Sequence, residues 1–263
     1  MVQAIMMESR REPEASRPGD ARAGSPGGGR DLRKRHNLLD LTDEGREWAF
    51  AGLAPHPCHQ GREEEVRRLV KDGYGPVKVP GIARREESPD ARPDLVPVGF
   101  VSPRTDRGSR VRVAAFVLER HVTRATTPYE VLRRPFSPRN ACLTALAQAR
   151  AAARRVDAEL GVWGSAGLEL YTGLPFTHGG SDLDLLVKPA PEPRLRELLS
   201  LLQALEKDLG LRIDVELDLP NGYGVQLKEL AMNVNSVLGK GSTDVTLLSR
   251  SDVWLLCDHF QSP

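Results

Sequence analysis

One short segment, SDLDLLVK at residues 181–188, constrains the fold of this chain more than any other. Asp182 and Asp184 alternate with apolar residues there, which is the period of a β-strand that has one buried face. Such a strand directs both carboxylates to one side and its leucines and valine into a core. The segment therefore predicts a sheet that is covered on one face and acidic on the other.

The residues around this segment predict helices that pack on such a sheet. Apolar residues recur at steps of three and four from about 142 to 160 and from about 192 to 209, which is the pattern of amphipathic helices. Gly210 suits the end of the second helix. Acidic and apolar residues alternate again in LRIDVELDL, and Asn221-Gly222 follows as a hairpin signal. We predict an α+β fold, with a mixed sheet and packed helices over residues 137–263.

The chain before residue 137 has a different character. Residues 1–30 are rich in Gly, Pro, Arg and Glu, so we predict a disordered tail. Residues 31–136 contain the strand-like segments VKVPGIA, VPVGFV and RVRVAAFVLERHV and one helical segment, REEEVRRLVKDG. These patterns predict a small β-rich N-terminal domain.

Composition excludes several classes of protein. The formal net charge is +1, which gives no basic field for bulk nucleic-acid binding. No apolar run reaches the roughly 20 residues that a membrane-spanning helix needs, so we expect no membrane partner. The three cysteines are scattered, which favours a reducing cytoplasm over a disulfide framework. The expectation is a cytoplasmic globular protein.

The Asp-x-Asp pair is the first candidate for chemistry. Two carboxylates one strand step apart repel each other unless a cation lies between them, and Mg²⁺ is the natural ion for carboxylate and phosphate oxygens. A solvated edge strand is the alternative interpretation of Asp182 and Asp184 alone. If LRIDVELDL pairs beside this strand, Asp214 or Glu216 adds a third carboxylate, and the sequence does not choose between them.

A turn upstream adds a phosphate-binding element. Gly164-Ser165 follows a short strand and precedes the helix-like AGLELY, and a helix N-terminus offers free N–H groups to phosphate. Lys188 is expected on the carboxylate face, where it would either neutralise phosphate or be a solvated lysine at the end of the strand. For His178 we favour a role in shaping its loop over acid–base catalysis. The order of strand, Gly-Ser, helix, Asp-x-Asp and acidic strand matches the nucleotidyltransferase superfamily.

Longer motifs narrow this resemblance to one family. The run VWGSAGLELYTGLPFTHGGSDLDLLVKP resembles the core motif of phosphoribosyl-dephospho-CoA transferases, the holo-acyl-carrier-protein synthases of malonate decarboxylase. Three further segments resemble this family and occur in the same order along the chain: HNLL at His36, VPVGF at Val96 and the downstream RIDVEL. Asn37 stands where the family has an aspartate. Ser181, inside the His-x-Gly-Ser-Asp block, joins Gly164, Ser165 and Lys188 as a candidate substrate-binding residue.

The resemblance implies a specific reaction. The substrate would be 2′-(5″-triphosphoribosyl)-3′-dephospho-CoA, and the acceptor a serine of the apo acyl carrier protein of malonate decarboxylase. Pyrophosphate would leave, with Asp182 and Asp184 holding Mg²⁺ and Glu216 or Asp214 completing the metal site or accepting the serine proton.

The N-terminal arginines have three interpretations. Because carrier proteins are typically acidic, we expect Arg110, Arg112, Arg133 and Arg134 to help hold the carrier. The rival interpretation is that they contact the phosphates of the substrate, and the third is that they form an ordinary solvated surface. For the whole chain, the alternatives are another nucleotidyltransferase, which modifies a small molecule or a protein, and a non-catalytic module that retained the fold.

Overall fold

The sequence alternation produces two β-sheets. The computed structural model describes residues 31–53, 56–86, 92–103 and 110–259, the side chain of Cys58 excepted. The predicted disordered tail at 1–30 lies outside the described residues. From Asp31 onward the chain forms one compact unit.

The first sheet is antiparallel and lies in the N-terminal half. Its spatial order is β4-β3-β2-β1-β5. The strands are β1 (Leu38–Leu41), β2 (Gly81–Ala83), β3 (Leu95–Val101), β4 (Arg112–Leu118) and β5 (Val122–Thr126). Two helices accompany them, α1 (Asp43–Ala51) and α2 (Glu63–Arg67), the latter continued by a π-helical turn over Arg68–Asp72. Val111 and Val113 are buried while Arg112 is exposed, as the alternation predicts.

The second sheet is mixed and has the order β11-β10-β9-β8-β7-β6. Its strands are β6 (Leu160–Val162), β7 (Leu183–Val187), β8 (Ile213–Asp218), β9 (Gly224–Gln226), β10 (Ser236–Lys240) and β11 (Val245–Ser249). The helices of this half are α3 (Pro128–Leu132), α4 (Ala141–Arg155), α5 (Gly164–Thr172), α6 (Glu192–Leu209), α7 (Leu227–Ala231) and α8 (Arg250–His259). Only β7 and β8 pair in parallel, with α6 between them in the chain. The α+β prediction, with a mixed sheet, packed helices and a β-rich N-terminal half, is confirmed.

Element boundaries show where sequence periodicity was and was not sufficient. Helix α6 begins and ends as predicted, with Gly210 left-handed at its C-terminus (φ 63°). The predicted helix over 142–160 was too long, because α4 ends at Arg155 and Asp157 adopts a positive φ of 53°. Val156 is buried just beyond the helix, and Leu160 begins β6. The apolar spacing used to predict one helix therefore continued through a turn into the next strand.

Two strand predictions also needed correction. The predicted strand over 110–122 stops with β4 at Leu118, a short 3₁₀ turn follows, and β5 begins at the last residue of the segment and runs beyond it. Of the segment VKVPGIA, the last three residues form a strand. The hairpin prediction at Asn221-Gly222 is confirmed, since β8 and β9 pair antiparallel across it and Gly222 has a φ of +87°. The sequence therefore predicted the position of this turn correctly but not the ends of the strands.

Candidate active site

The register of β7 and β8 gathers the acidic residues on one sheet face. Asp184 lies directly opposite Asp214, and Leu186 lies opposite Glu216. The alternate residues of β8, Ile213 and Val215 among them, are buried in the core. The condition that the sequence left open, that the two acidic strands are neighbours, is met.

Asp184 lies in a strongly acidic environment. Burial raises the pKa of its carboxyl group to about 6, and the negative charges of Asp214, Asp182 and Glu216 act in the same direction. Arg212 opposes this shift. It forms an ion pair with Asp214 at 2.8 Å, but its side chain is mostly exposed, and exposed pairs contribute little. At Asp184, burial and the neighbouring carboxylates therefore outweigh the nearby positive charge of Arg212.

Gly164 brings the Gly-Ser turn against Asp184. Its φ is +62°, in the left-handed region that favours glycine, and a Cβ atom there would overlap with Oδ2 of Asp184. Gly164 is also the first residue of α5, so the helix begins at the carboxylate. The backbone N–H groups at its first turn and the Asp184 carboxylate therefore border the same space.

A cleft of about 460 Å³ lies in front of these groups. Its lining residues are Arg110, Arg112, Ser165, His178, Ser181, Asp182 and Asp184. Nη1 of Arg110 donates to Oγ of Ser165 at 2.6 Å, and Nη2 donates to the carbonyl of Phe176. Two arginines next to the first sheet thus line the cleft with the candidate aspartates. Among the described residues, the lining of a larger cavity of about 590 Å³ beside Phe50 includes one acidic side chain, Glu63, so the candidate aspartates lie in the smaller cleft.

The loop between α5 and β7 is held in place by a buried carboxylate. Glu169 accepts two hydrogen bonds from Arg139, at 2.6 and 2.8 Å, and two from the backbone and hydroxyl of Thr177, both at 2.7 Å. Nδ1 of His178 accepts from the Gly180 backbone N–H at 3.1 Å, and the Ser181 hydroxyl accepts from the His178 N–H at 3.0 Å. These bonds give His178 and Ser181 a loop-shaping role while both side chains face the cleft.

Glu216 has the opposite environment to Asp184. Its buried carboxylate is 3.3 Å from Arg35, 3.2 Å from Lys240 and 3.4 Å from the ring of His36. Burial alone would raise the pKa of Glu216, but the hydrogen bond from His36 and the charges of Arg35 and Lys240 outweigh it and lower the pKa to about 2. Of the two candidates for a third carboxylate, Glu216 is already neutralised, whereas Asp214 lies opposite Asp184.

Lys188 lies at the same neutralised end of the sheet. Its ammonium group is 3.5 Å from Asp218 and 4.4 Å from the centre of the Tyr129 ring. It lines a second cavity, of about 190 Å³, together with Arg33, Lys34 and Arg35. Lys188 faces the same side of the sheet as the aspartates, but it is absent from the residues that line the 460 Å³ cleft.

His36 is a site residue that the sequence did not single out. It has a positive φ of 72°, which is uncommon outside glycine, and its ring stacks on Trp163 with centroids 3.9 Å apart. Trp163 directly precedes Gly164, so the N-terminal segment supports the Gly-Ser turn. In the sequence, His36 stood out only as the first residue of HNLL, a segment that resembles a family motif and that gave the histidine no role of its own.

The predicted arginine surface is divided between different places. Arg110 and Arg112 line the cleft. Arg134 lies over the ring of Tyr171 and donates to its carbonyl at 3.0 Å. Arg133 is exposed and 3.8 Å from Glu159. The four arginines therefore lie in different surroundings, and their part in holding the carrier stays a prediction.

Within residues 31–53, 56–86, 92–103 and 110–259, no three His, Cys, Asp or Glu side chains already form a metal-binding group. Over the same residues, no helix combines the length and apolar character needed to cross a membrane.

Comparison with known proteins identifies the chain's relatives. Two family models match in succession, the N-terminal domain of phosphoribosyl-dephospho-CoA transferase MdcG over residues 34–128 and its C-terminal domain over 131–251. The two matches bracket the two sheets and place the chain in a transferase family.

Individual relatives agree with the family models. A phosphoribosyl-dephospho-CoA transferase from Xanthomonas euvesicatoria pv. vesicatoria is 33% identical over 82% of this chain and 94% of its own. One from Pseudomonas syringae pv. tomato is 34% identical over 68% and 81%. One from Pseudomonas aeruginosa is 42% identical over 43% and 52%. No solved structure matches the chain. The chain belongs to the phosphoribosyl-dephospho-CoA transferase family.

Proposed function

We propose that this chain transfers phosphoribosyl-dephospho-CoA from 2′-(5″-triphosphoribosyl)-3′-dephospho-CoA to a serine of the apo acyl carrier protein of malonate decarboxylase. The observation that carries the proposal is the placement of Asp184 opposite Asp214 and against Gly164, in a cleft that Ser165 and Arg110 also line. Family membership supports the substrate, and the acidic cleft supports the reaction type, nucleotidyl transfer.

The donor set fits magnesium. Asp182 and Asp184 would hold the ion, because Mg²⁺ needs only one or two carboxylates and completes its shell with water and phosphate oxygens. The raised pKa of Asp184 supports this assignment, since the surrounding carboxylates favour any added positive charge. When bound, magnesium would neutralise the phosphate oxygens and the charge that develops on the leaving group.

The bond changes define what the protein's own residues must do. The carrier serine oxygen forms a bond to the phosphorus attached to the ribose, the bond from that phosphorus to the bridging oxygen breaks, and pyrophosphate leaves with that electron pair. The N–H groups at the start of α5, the Ser165 hydroxyl and the Arg110 guanidinium would orient the phosphates. Asp214 is the better candidate than Glu216 to complete the site or to accept the serine proton, because Glu216 is held by cations.

The reaction is tested by mass spectrometry of the apo carrier protein after incubation with enzyme, magnesium and the triphosphoribosyl substrate. We expect a mass increase equal to the prosthetic group and one pyrophosphate per carrier modified. ATP offered in place of this substrate should give no carrier labelling. Labelling with ATP alone would identify another nucleotidyltransferase, and no labelling with either donor would contradict the proposal. A cytoplasmic location remains a prediction from the cysteine pattern.

A further inference from the structure

The far end of the acidic strand carries more positive than negative charge. We call Lys34, Arg35, Lys188 and Lys240, with the carboxylates of Glu216 and Asp218, the cationic end. Oδ2 of Asp218 is 2.9 Å from Lys34 and 3.5 Å from Lys188, and it also accepts from the Tyr129 hydroxyl at 3.0 Å. Glu216 is likewise shared by two cations, Arg35 and Lys240.

This sharing leaves an excess of positive charge at a fixed place. The two carboxylates are buried, with side chains 3% and 8% exposed, whereas the four cations keep between 18% and 36% of their surface in solvent. An ammonium group has three donors and a guanidinium five, so the pairs leave N–H groups available. Two ammonium groups that share one carboxylate oxygen repel each other, and an added anion relieves that repulsion.

A cavity opens onto these groups. It measures about 190 Å³ and is bounded by Arg33, Lys34, Arg35 and Lys188, with Asp31 and Asp218 as its acidic members. A water molecule takes about 30 Å³ in the liquid, so the space accommodates a group of several non-hydrogen atoms. Leu219, Pro220, Gly222 and Ser242 also line it. The charge and size together fit a diphosphate.

The spacing along β7 relates this cavity to the candidate active site. Lys188 follows Asp184 by four residues, which corresponds to roughly 13 Å along a strand. The substrate of the proposed function has two phosphate groups, the triphosphate on its added ribose and the diphosphate of its CoA portion, separated by two linked riboses. When the triphosphate lies at Asp184, the diphosphate needs a cationic contact at about this distance.

We infer that the cationic end is the subsite for the diphosphate of the CoA portion, an inference that rests on the proposed function. Lys34 and Lys188 contact its oxygens, while Glu216 and Asp218 hold the cations in position. Lys188 therefore recognises the part of the substrate that does not react, and not the triphosphate that the sequence had assigned to it.

Dephospho-CoA, which has the diphosphate and no triphosphate, tests the subsite by calorimetry in magnesium-free buffer. We expect Lys34→Gln and Lys188→Gln each to weaken its binding about ten-fold, the loss of one charge-assisted hydrogen bond. Lys228→Gln is the matched control, because Lys228 pairs with Glu206 at 2.9 Å outside the cavity. Asp184→Asn should bind dephospho-CoA as the unchanged protein does.

Inorganic tripolyphosphate with magnesium distinguishes the two phosphate groups. Its binding should weaken in Asp184→Asn and stay unchanged in Lys188→Gln. The reverse pattern, or dephospho-CoA binding that is equal in all variants, would overturn the subsite. Neither measurement uses turnover, so binding without carrier labelling would reject the proposed function alone, and labelling with unchanged binding would reject the subsite alone.

Discussion

The two ends of the acidic face of the β7–β8 pair show how buried carboxyl groups acquire opposite pKa shifts. At one end of the β7–β8 pair, Asp184 and Asp214 lie opposite each other and the pKa of Asp184 rises to about 6. Two residues along β8, Glu216 is surrounded by cations and its pKa falls to about 2. Both carboxylates are largely buried, so the difference comes from the charges placed around them. One end disfavours the ionised carboxylate, and the other stabilises it.

Removing the acidic end should have the largest effect on activity. Asp184→Asn keeps the shape of the side chain but removes a candidate metal ligand, so turnover should fall on the order of a thousand-fold, about 4 kcal/mol of transition-state stabilisation. Pyrophosphate release measures this, and circular dichroism confirms the fold. Near-normal pyrophosphate release by a folded Asp184→Asn protein would show that the active site does not lie at Asp184.

Breaking the neutralised end should instead cost stability. Glu216→Gln leaves Arg35, His36 and Lys240 around an uncharged amide, and the loss of one partner from a buried ion pair costs roughly 3–5 kcal/mol. Urea unfolding measures the loss. Because the folded pKa is depressed, this stability is present above the ordinary pKa of 4.5 and is lost as the pH falls toward about 2. If the urea midpoint of Glu216→Gln is unchanged, the ion pairs around Glu216 contribute nothing to the stability of the fold.

Arg110 tests whether the first sheet takes part in phosphate binding. It donates to the Ser165 hydroxyl at the mouth of the carboxylate cleft, so Arg110→Gln should lower kcat/KM for the triphosphoribosyl substrate by roughly ten- to a hundred-fold. The KM for the carrier should stay the same. A change confined to the carrier KM would return Arg110 to the docking role that the sequence first indicated.

The two ends should also respond differently to magnesium and pH. The pKa of Asp184 is raised, so ionising it destabilises the fold as the pH rises from about 4 through 6, and a bound cation offsets that loss. Thermal melts should therefore show a larger stabilisation by Mg²⁺ at pH 7.5 than at pH 5. Asp184→Asn should show little stabilisation at either pH. Equal stabilisation of both proteins would place any bound ion elsewhere.

The smallest effect is expected at the surface arginine. Arg133 is exposed and its contact with Glu159 is long, so Arg133→Glu should raise the KM for an acidic carrier only a few-fold. The difference should disappear at high salt, where exposed charges are screened. Arg68→Glu, on the turn that follows α2, is the control. Equal effects of the two reversals would argue against a docking surface at Arg133.

Sequence periodicity located the acidic face but not its division into two ends. Alternation was enough to place Asp182 and Asp184 on one side of a strand, and Asp214 and Glu216 on one side of another. Alternation could not tell which carboxylate of each pair is neutralised by other parts of the chain. The residues that separate them in function come from far away, since His36 is 180 positions from Glu216.

Other features depended on contacts that no local pattern contains. Arg110 is brought to Ser165 by the packing of segments 55 residues apart in sequence, so its charge alone indicated only a surface patch. Gly164 was readable as part of a turn, but its contact with Asp184 depends on how β6 pairs with β7. Short-range chemistry, such as the cap at Gly210, was predicted correctly because it needs no distant partner.

The central claim, that the surroundings of Asp184 disfavour its ionised form, is tested most directly by the melting temperature of Asp184→Asn in metal-free buffer at pH 7.5. The pKa of about 6 corresponds to a cost of at most about 3 kcal/mol for the ionised carboxylate. The variant should therefore melt several degrees above the unchanged protein, at roughly 2–4 °C per kcal/mol, and saturating magnesium should close the gap. A variant that melts below the unchanged protein in metal-free buffer would show that Asp184 is already neutralised by the fold, which contradicts the account.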